Sequence, residues 1–257
     1  MYGNIKIQNG SRFMTAKKAT LDQISNQMTL LENCEINDEQ NNRVYGDKIL
    51  LSFKDESLES LKVISSGMIL SQNSGYEKIE NKRQLVENED VLKGETIFAS
   101  LINDEIENIE MLGMASTLIH LYNDSLYDGI NEVSGDKIIL SLKNESAQKL
   151  IAEGGTIGRY TPNESNENVQ EDIDYTADRV EFEVDTKISE MYGGVKILHD
   201  NMDLSAAHIN VDWGTNILEA FSDNPFDDEE INRPILVENN REPMTGDTMV
   251  YNIKSRK

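Results

Sequence analysis

Apolar and polar residues alternate along most of this chain with a period of two. Ile49, Leu51 and Phe53 alternate with Leu50, Ser52 and Lys54, and Val180, Phe182 and Val184 alternate with Glu181, Glu183 and Asp185. The rhythm returns at Ile209, Val211 and Trp213, and again at Met249, Tyr251 and Ile253. Successive side chains of a strand point to opposite faces, so each segment has one apolar and one mostly polar face. Antiparallel sheets with one covered face produce this pattern, and an all-β chain is expected. Residues 144–150 could pass as helical, but the stretch is short and Gly154 and Gly155 follow closely.

An internal repeat underlies the alternation. Residues 46–61 read GDKILLSFKDESLESL and residues 135–150 read GDKIILSLKNESAQKL, identical at ten of sixteen positions. Weaker copies start at Gly94 and Gly246, and diverged ones surround Ala177-Asp178 and Ala206-Ala207. The starts at Gly46, Gly94 and Gly135 are 48 and 41 residues apart, the length of a unit of several strands. The glycine is expected to turn the chain, with the acidic residue hydrogen-bonded in that turn before the strand begins. Proline is absent before Pro162, as ladders that use every N–H require. Pro225, Pro234 and Pro243 lie around Asp227, Asp228, Glu229 and Glu230, which reads as an exposed loop. The apolar-poor residues 162–174 are expected as a second loop, dividing the chain into 1–161 and 175–257, with the alternative that the strands continue across it as one ribbon.

Charge narrows the functions. With 24 basic and 47 acidic residues the formal charge is -23, which repels phosphate backbones and excludes nucleic acid as a partner. Anionic membrane surfaces are equally poor partners. Cys34 is the only cysteine, so no disulfide closes within the chain; its parity with Ile36 reads as a small buried residue, with a bridge to another chain as the alternative. No run approaches 18 apolar residues, and no basic segment followed by an apolar stretch marks a signal peptide. Because residues 1–7 already follow a strand pattern, the sequence reads as a fragment whose targeting segment lies outside it.

Chemistry-bearing residues do not assemble into a catalytic pattern. His120, His199 and His208 lack the spacing of a metal site, and His120 shares a strand face with Leu118 and Tyr122, the setting of a structural histidine. Gly154-Gly155-Thr156-Ile157-Gly158 has no following helix or lysine, so it reads as a turn rather than a phosphate loop. Residues 223–230 are acidic but have no glycine-centred ligand loop for calcium. No enzyme, metal or cofactor is expected.

The order of glycine or alanine, acidic residue and strand resembles OstA/LptA-type lipopolysaccharide-transport domains. The residues that carry the resemblance are 16–22 (AKKATLD), Gly46-Asp47-Lys48-Ile49, Gly135-Asp136-Lys137-Ile138 and Gly194-Val195-Lys196-Ile197. Asn224-Pro225-Phe226, Pro234-Ile235-Leu236 and residues 244–252 (MTGDTMVYN) resemble the periplasmic N-terminal domain of LptD-type proteins. The resemblance implies a β-jellyroll, two facing antiparallel sheets forming an open ribbon of short repeated strands. It also implies a periplasmic, outer-membrane-associated bridge that carries lipopolysaccharide, with Lpt-type jellyroll proteins joined head to tail and an outer-membrane β-barrel as partners. The lipid groove would be lined by Ile49, Leu51, Phe53, Ile138, Leu140 and Leu142, with Val180, Phe182, Val195, Ile197, Val211 and Trp213 from the second half. Assembly edges would lie at Ile5 and Ile7 and at Met249 and Tyr251. Alternation alone leaves open whether such faces hold acyl chains or close a dry core. A structural or adhesive β-solenoid that binds proteins and no lipid is the alternative.

Overall fold

The computed structural model describes residues 2–55, 57–79, 82–143, 146–166, 169–224, 227–239 and 241–255. Pro225 and Phe226, Glu167 and Asn168, and Asn144 and Glu145 lie outside the described residues. The chain is all-β: every regular element among the described residues is a strand. It divides into two compact units, Met1–Ser74 with Glu87–Ile119 and Lys137–Ala147, and Gly75–Val86 with His120–Asp136 and Gln148–Lys257.

Unit 1 contains β1 (Tyr2–Asn9), β2 (Arg12–Asp22), β3 (Gln27–Asn37) and β4 (Arg43–Lys54). The strands β5 (Ser57–Ile79), β6 (Lys82–Ile102), β7 (Glu105–Asn123), β8 (Leu126–Lys143) and β9 (Ser146–Pro162) give residues to both units. Unit 2 adds β10 (Ile173–Glu183), β11 (Ile188–His199), β12 (Met202–Asp212) and β13 (Ile217–Phe221). Then come β14 (Asp223–Asn224), β15 (Asp227–Ile231), β16 (Ile235–Glu238), β17 (Met244–Thr245) and β18 (Thr248–Asn252). Pairing follows chain order from β1 to β13 and ends on β18; β16 pairs with β12 and β17, and β14 with β15.

The strands are longer than the repeat implies. β5 runs 23 residues, well beyond an ordinary strand, because each long strand is two short arms joined at a corner. On alternate strands two successive residues at the corner have positive φ. They are Glu32-Asn33 in β3, Ser65-Ser66 in β5, Gly113-Met114 in β7, Gly154-Gly155 in β9 and Gly193-Gly194 in β11, with φ between 46° and 82°. A small or compact buried residue follows each pair: Cys34, Gly67, Ala115, Thr156 and Val195. Across the ladder, the intervening strands supply Ala16-Lys17, Gly46-Asp47, Gly94-Glu95, Ala177-Asp178 and Ala206-Ala207, and the register slips there. Such bulges bend a strand and sharpen its twist.

This corner accounts for the repeat. In β6 the buried positions are Asp90, Leu92 and Gly94 before it, then Ile97, Ala99 and Leu101 after it. The inward parity flips across Gly94-Glu95, and β10 and β12 flip in the same way at Ala177-Asp178 and Ala206-Ala207. The strands with two left-handed residues keep one parity: Met191, then Val195 and Ile197. The repeating unit is therefore two strands, one carrying glycine or alanine with a polar residue and the next carrying the left-handed pair. The two halves interlock. A Cβ added to Gly154 would lie 2.6 Å from Asp136 Cβ, and one added to Gly113 would lie 2.6 Å from Glu95 Oε2.

Several local expectations change. Gly154-Gly155 is not a turn between strands but the corner within β9, where glycine meets the positive φ without a Cβ penalty. Gly194-Val195-Lys196-Ile197 belongs to the left-handed half of the corner and is no copy of Gly46-Asp47. Residues 146–150, with a helical alternative, are strand because Lys149 and Leu150 pair with Glu183 and Phe182. The acidic stretch expected as a loop contains β15, which pairs with β14.

Candidate functional site

The twelve residues expected to line a groove fall into two groups. Ile49, Leu51, Ile138, Leu140, Val180, Val195, Ile197 and Val211 are buried. Phe53, Leu142, Phe182 and Trp213 are half-buried, each the last inward position before its strand ends or, for Trp213, just past β12. The inward row of unit 1 includes Ala19 and Leu21, and Leu21 is 57% exposed. It pairs with half-buried Met28, which in turn pairs with Leu51. Apolar side chains thus run from closed interior to open strand end along one parity.

In unit 1, residues far apart in strand order meet. Arg12, opening β2, donates from Nη1 to Asp104 Oδ1 and from Nη2 to Asp104 O, both at 2.9 Å, in the β6–β7 turn. Leu58 N donates to the same carboxylate at 3.1 Å. Burial pushes the Asp104 carboxyl up, but Arg12 and the Leu58 amide outweigh it and hold it below its ordinary value. The buried hydrophobic residues of unit 1 are aliphatic, apart from Cys34 and the methionines. Cys34 sits at a corner with Sγ 3.5 Å from Asp47 O, and burial pushes its thiol up, so it is a packed residue rather than a reactive one.

The interior of unit 2 differs. Tyr160, Tyr175, Tyr192 and Tyr251 are buried. Tyr160 Oη donates toward Asp128 Oδ2 at 3.0 Å and receives Asn166 Nδ2 at 3.0 Å; Tyr175 Oη lies 3.0 Å from Asn131 Oδ1. Tyr192 pairs with Glu190, and Tyr251 with Glu238 at 3.2 Å. Burial, first of all, pushes the phenols of Tyr160, Tyr175 and Tyr192 well above their ordinary value. Tyr160 lies 6.0 Å from the Trp213 ring, whose Nε1 donates to Ser189 Oγ at 2.8 Å. Two tyrosines cover glycines: Tyr175 stands directly opposite Gly158, and Tyr160 lies against Gly129.

The histidines occupy structural settings. His208 is stacked between Tyr192 at 4.6 Å and Phe221 at 5.1 Å, and burial holds its pKa below the ordinary value. His199 Nδ1 lies 3.3 Å from Asp172 O, and His120 lies 5.9 Å from Tyr127. The expected edges sit at the ends of the strand order: among the described residues β1 pairs with β2 alone, and β18 with β13 alone. Ile5 and Tyr251 are buried, and Ile7 and Met249 are half-buried.

Sequence reasoning missed the left-handed pairs and the buried tyrosines of unit 2. The pairs share no residue type, since Glu-Asn, Ser-Ser, Gly-Met and Gly-Gly all occur. Their only linear signal is a break between two alternating arms.

No family profile and no curated protein matches the chain. A solved structure that it resembles is the crystal structure of LptH, the LptA homologous periplasmic component of the conserved lipopolysaccharide transport device from Pseudomonas aeruginosa. The TM-score is 0.38 at 12% identity, covering 56% of this chain and 82% of that one.

Proposed function

We propose that this chain is a periplasmic bridge segment that holds the acyl chains of lipopolysaccharide on its inward faces and passes the lipid toward the outer membrane. The observation that carries the reading is the inward apolar row that is not closed off at its ends: Leu21 is exposed and Phe53 and Leu142 half-buried in unit 1, and Phe182 and Trp213 are half-buried in unit 2. A closed core gains nothing from extending that row into solvent, whereas an acyl chain laid along it gains about 0.8 kcal/mol per methylene buried. The acidic surface does not oppose this, provided the lipid's phosphates stay in water. The repeat's resemblance to OstA/LptA-type domains, and that of the C-terminal part to LptD-type N-terminal domains, supports the same reading.

Lpt-type jellyroll proteins are the proposed head-to-tail partners, through strand addition at β1 and β18, with an outer-membrane β-barrel as the recipient. An unpaired strand edge presents free N–H and C=O groups for such addition. Proline at Ile5 or Tyr251 removes a donor there and should reduce association in light scattering. Association unchanged in both variants would remove these edges from the interface.

One observation favours a second reading. Eight of the twelve inward positions are closed off without any ligand, which suits a dry sandwich serving as a structural or adhesive module. Purification from a lipopolysaccharide-producing host separates the two. Co-purified lipid A that is lost on Phe53→Glu supports the bridge; lipid-free protein with the same circular dichroism supports the sandwich.

A further inference from the structure

The contact of Arg12 with Asp104 joins opposite arms of unit 1. Strands β2, β3, β4 and β5 are successively antiparallel, so β5 runs against β2. Arg12 precedes the corner of β2 and Leu58 precedes the corner of β5, which places them on opposite arms. Asp104 bridges the two, taking both guanidinium bonds of Arg12 through its carboxylate and carbonyl, and the Leu58 amide at 3.1 Å. The guanidinium thus crosses from one arm to the other at the ends remote from the corner.

Burial along the inward row changes where this clasp sits. The row is exposed at Leu21 and half-buried at Met28 and Phe53, but Leu58 and Leu101 are only 4% and 7% exposed. Phe53 and Leu58 are direct cross-strand partners, so the step from open to closed falls between β4 and β5. That is where Asp104 takes the Leu58 amide. The Arg12 side chain is 19% exposed and that of Asp104 47%, so water reaches the pair from one side. A part-exposed ion pair holds its partners in register but adds little to stability, which suits a contact that parts and reforms.

We infer that Arg12 and Asp104 form a latch across the open side of unit 1, one that parts to admit an acyl chain sideways beside Leu58 and Leu101. The cargo rests on the lipid reading proposed above; the latch itself rests on the ion pair and the arms it joins. Opening turns one arm against the other about the corner, where Glu32-Asn33 and Ser65-Ser66 stand at positive φ. Closure then covers the chain already laid along the inward row, without a separate lid.

The first readout needs no lipid. Spin labels replace Ile24 and Glu39, exposed turn residues on opposite arms, in the full chain carrying Cys34→Ala. Double electron–electron resonance should show a longer, broader separation in Arg12→Ala and in Asp104→Ala, while Asp104→Glu keeps the short one; all should keep the circular dichroism of the parent. The second readout is stopped-flow capture of fluorescently labelled lipid A. Both alanine variants should capture it roughly three- to tenfold faster, the scale of one part-exposed hydrogen bond to a charged group. Arg12→Cys with Asp104→Cys, joined by a bis-maleimide in the Cys34→Ala chain, should slow capture below that of the parent. An unchanged separation in both alanine variants would overturn the latch. Wider arms with unchanged capture, or a joined pair that captures as fast as the parent, would overturn its control of entry. Wider arms with no capture by any form, parent included, would support the latch and count against lipid as its cargo.

Discussion

The two units share one corner but fill their interiors differently. Unit 1 closes on Leu30, Ile49, Leu51, Val63, Ile97 and Met111, with no buried aromatic ring among its described residues. Unit 2 buries four tyrosines, and each hydroxyl has a carboxylate or amide partner. The same backbone device thus operates over an aliphatic interior and over a polar-tipped aromatic one. The corner specifies the fold, and the interior is free to specialise. Apolar packing is tolerant of what lies against it, whereas a satisfied polar network demands fixed partners. Unit 1 accordingly has the more tolerant apolar interior, and unit 2 the more rigidly specified one.

The largest expected effect is at the corner itself. In unit 2, Gly154→Val places a β-branched residue at positive φ with its Cβ against Asp136, and should cost more than about 3 kcal/mol in denaturant unfolding. Gly155→Ala, with open space around its Cβ, should cost only about 1–2 kcal/mol. In unit 1 the same corner is Ser65-Ser66, both at positive φ, so Ser66→Gly should be neutral or stabilising by a few tenths to about 1 kcal/mol. Equal losses from Gly154→Val and Gly155→Ala would break the claim that the corner's halves interlock.

A smaller effect separates the interiors. Tyr175→Phe leaves Asn131 Oδ1 without its partner and should cost about 1–3 kcal/mol. Alkaline pH reaches the same group of residues. Tyr160, Tyr175 and Tyr192 have folded pKa values above those of the unfolded chain, so their neutral forms stabilise the fold below about pH 10. That contribution is lost as pH rises through the folded values. Hydrogen exchange at rising pH, corrected for intrinsic rates, should show unit 2 losing protection before unit 1. Loss in the opposite order would mean that the tyrosine network does not hold unit 2.

Much of this was legible in the chain. Period-two alternation identifies the strands, and Gly46-Asp47, Gly94-Glu95 and Gly135-Asp136 mark one half of every corner they occupy. The other half was hidden, because positive φ is imposed by the partner strand and accepted by glutamate, serine and methionine alike. The inward set was readable near strand centres, where Ile49 and Leu140 are closed off, and less so at Phe53, Leu142, Phe182 and Trp213. Those four have the right parity, but exposure at a strand end depends on what the turn beyond it covers. The tyrosines escaped notice because Tyr175 finds Asn131, and Tyr160 finds Asp128, only once strands distant in sequence are brought together.

The central claim is that the inward apolar row holds acyl chains. A photo-crosslinking amino acid at Leu51, Phe53, Leu140, Phe182 or Val211, with Lys143 and Glu181 as outward controls, tests it directly in lipopolysaccharide-producing cells. The expected result is lipopolysaccharide captured at the inward positions, most strongly at half-buried Phe53 and Phe182, and little at the controls. Capture at Lys143 and Glu181 with none at the inward positions, in a protein of unchanged fold, would contradict it.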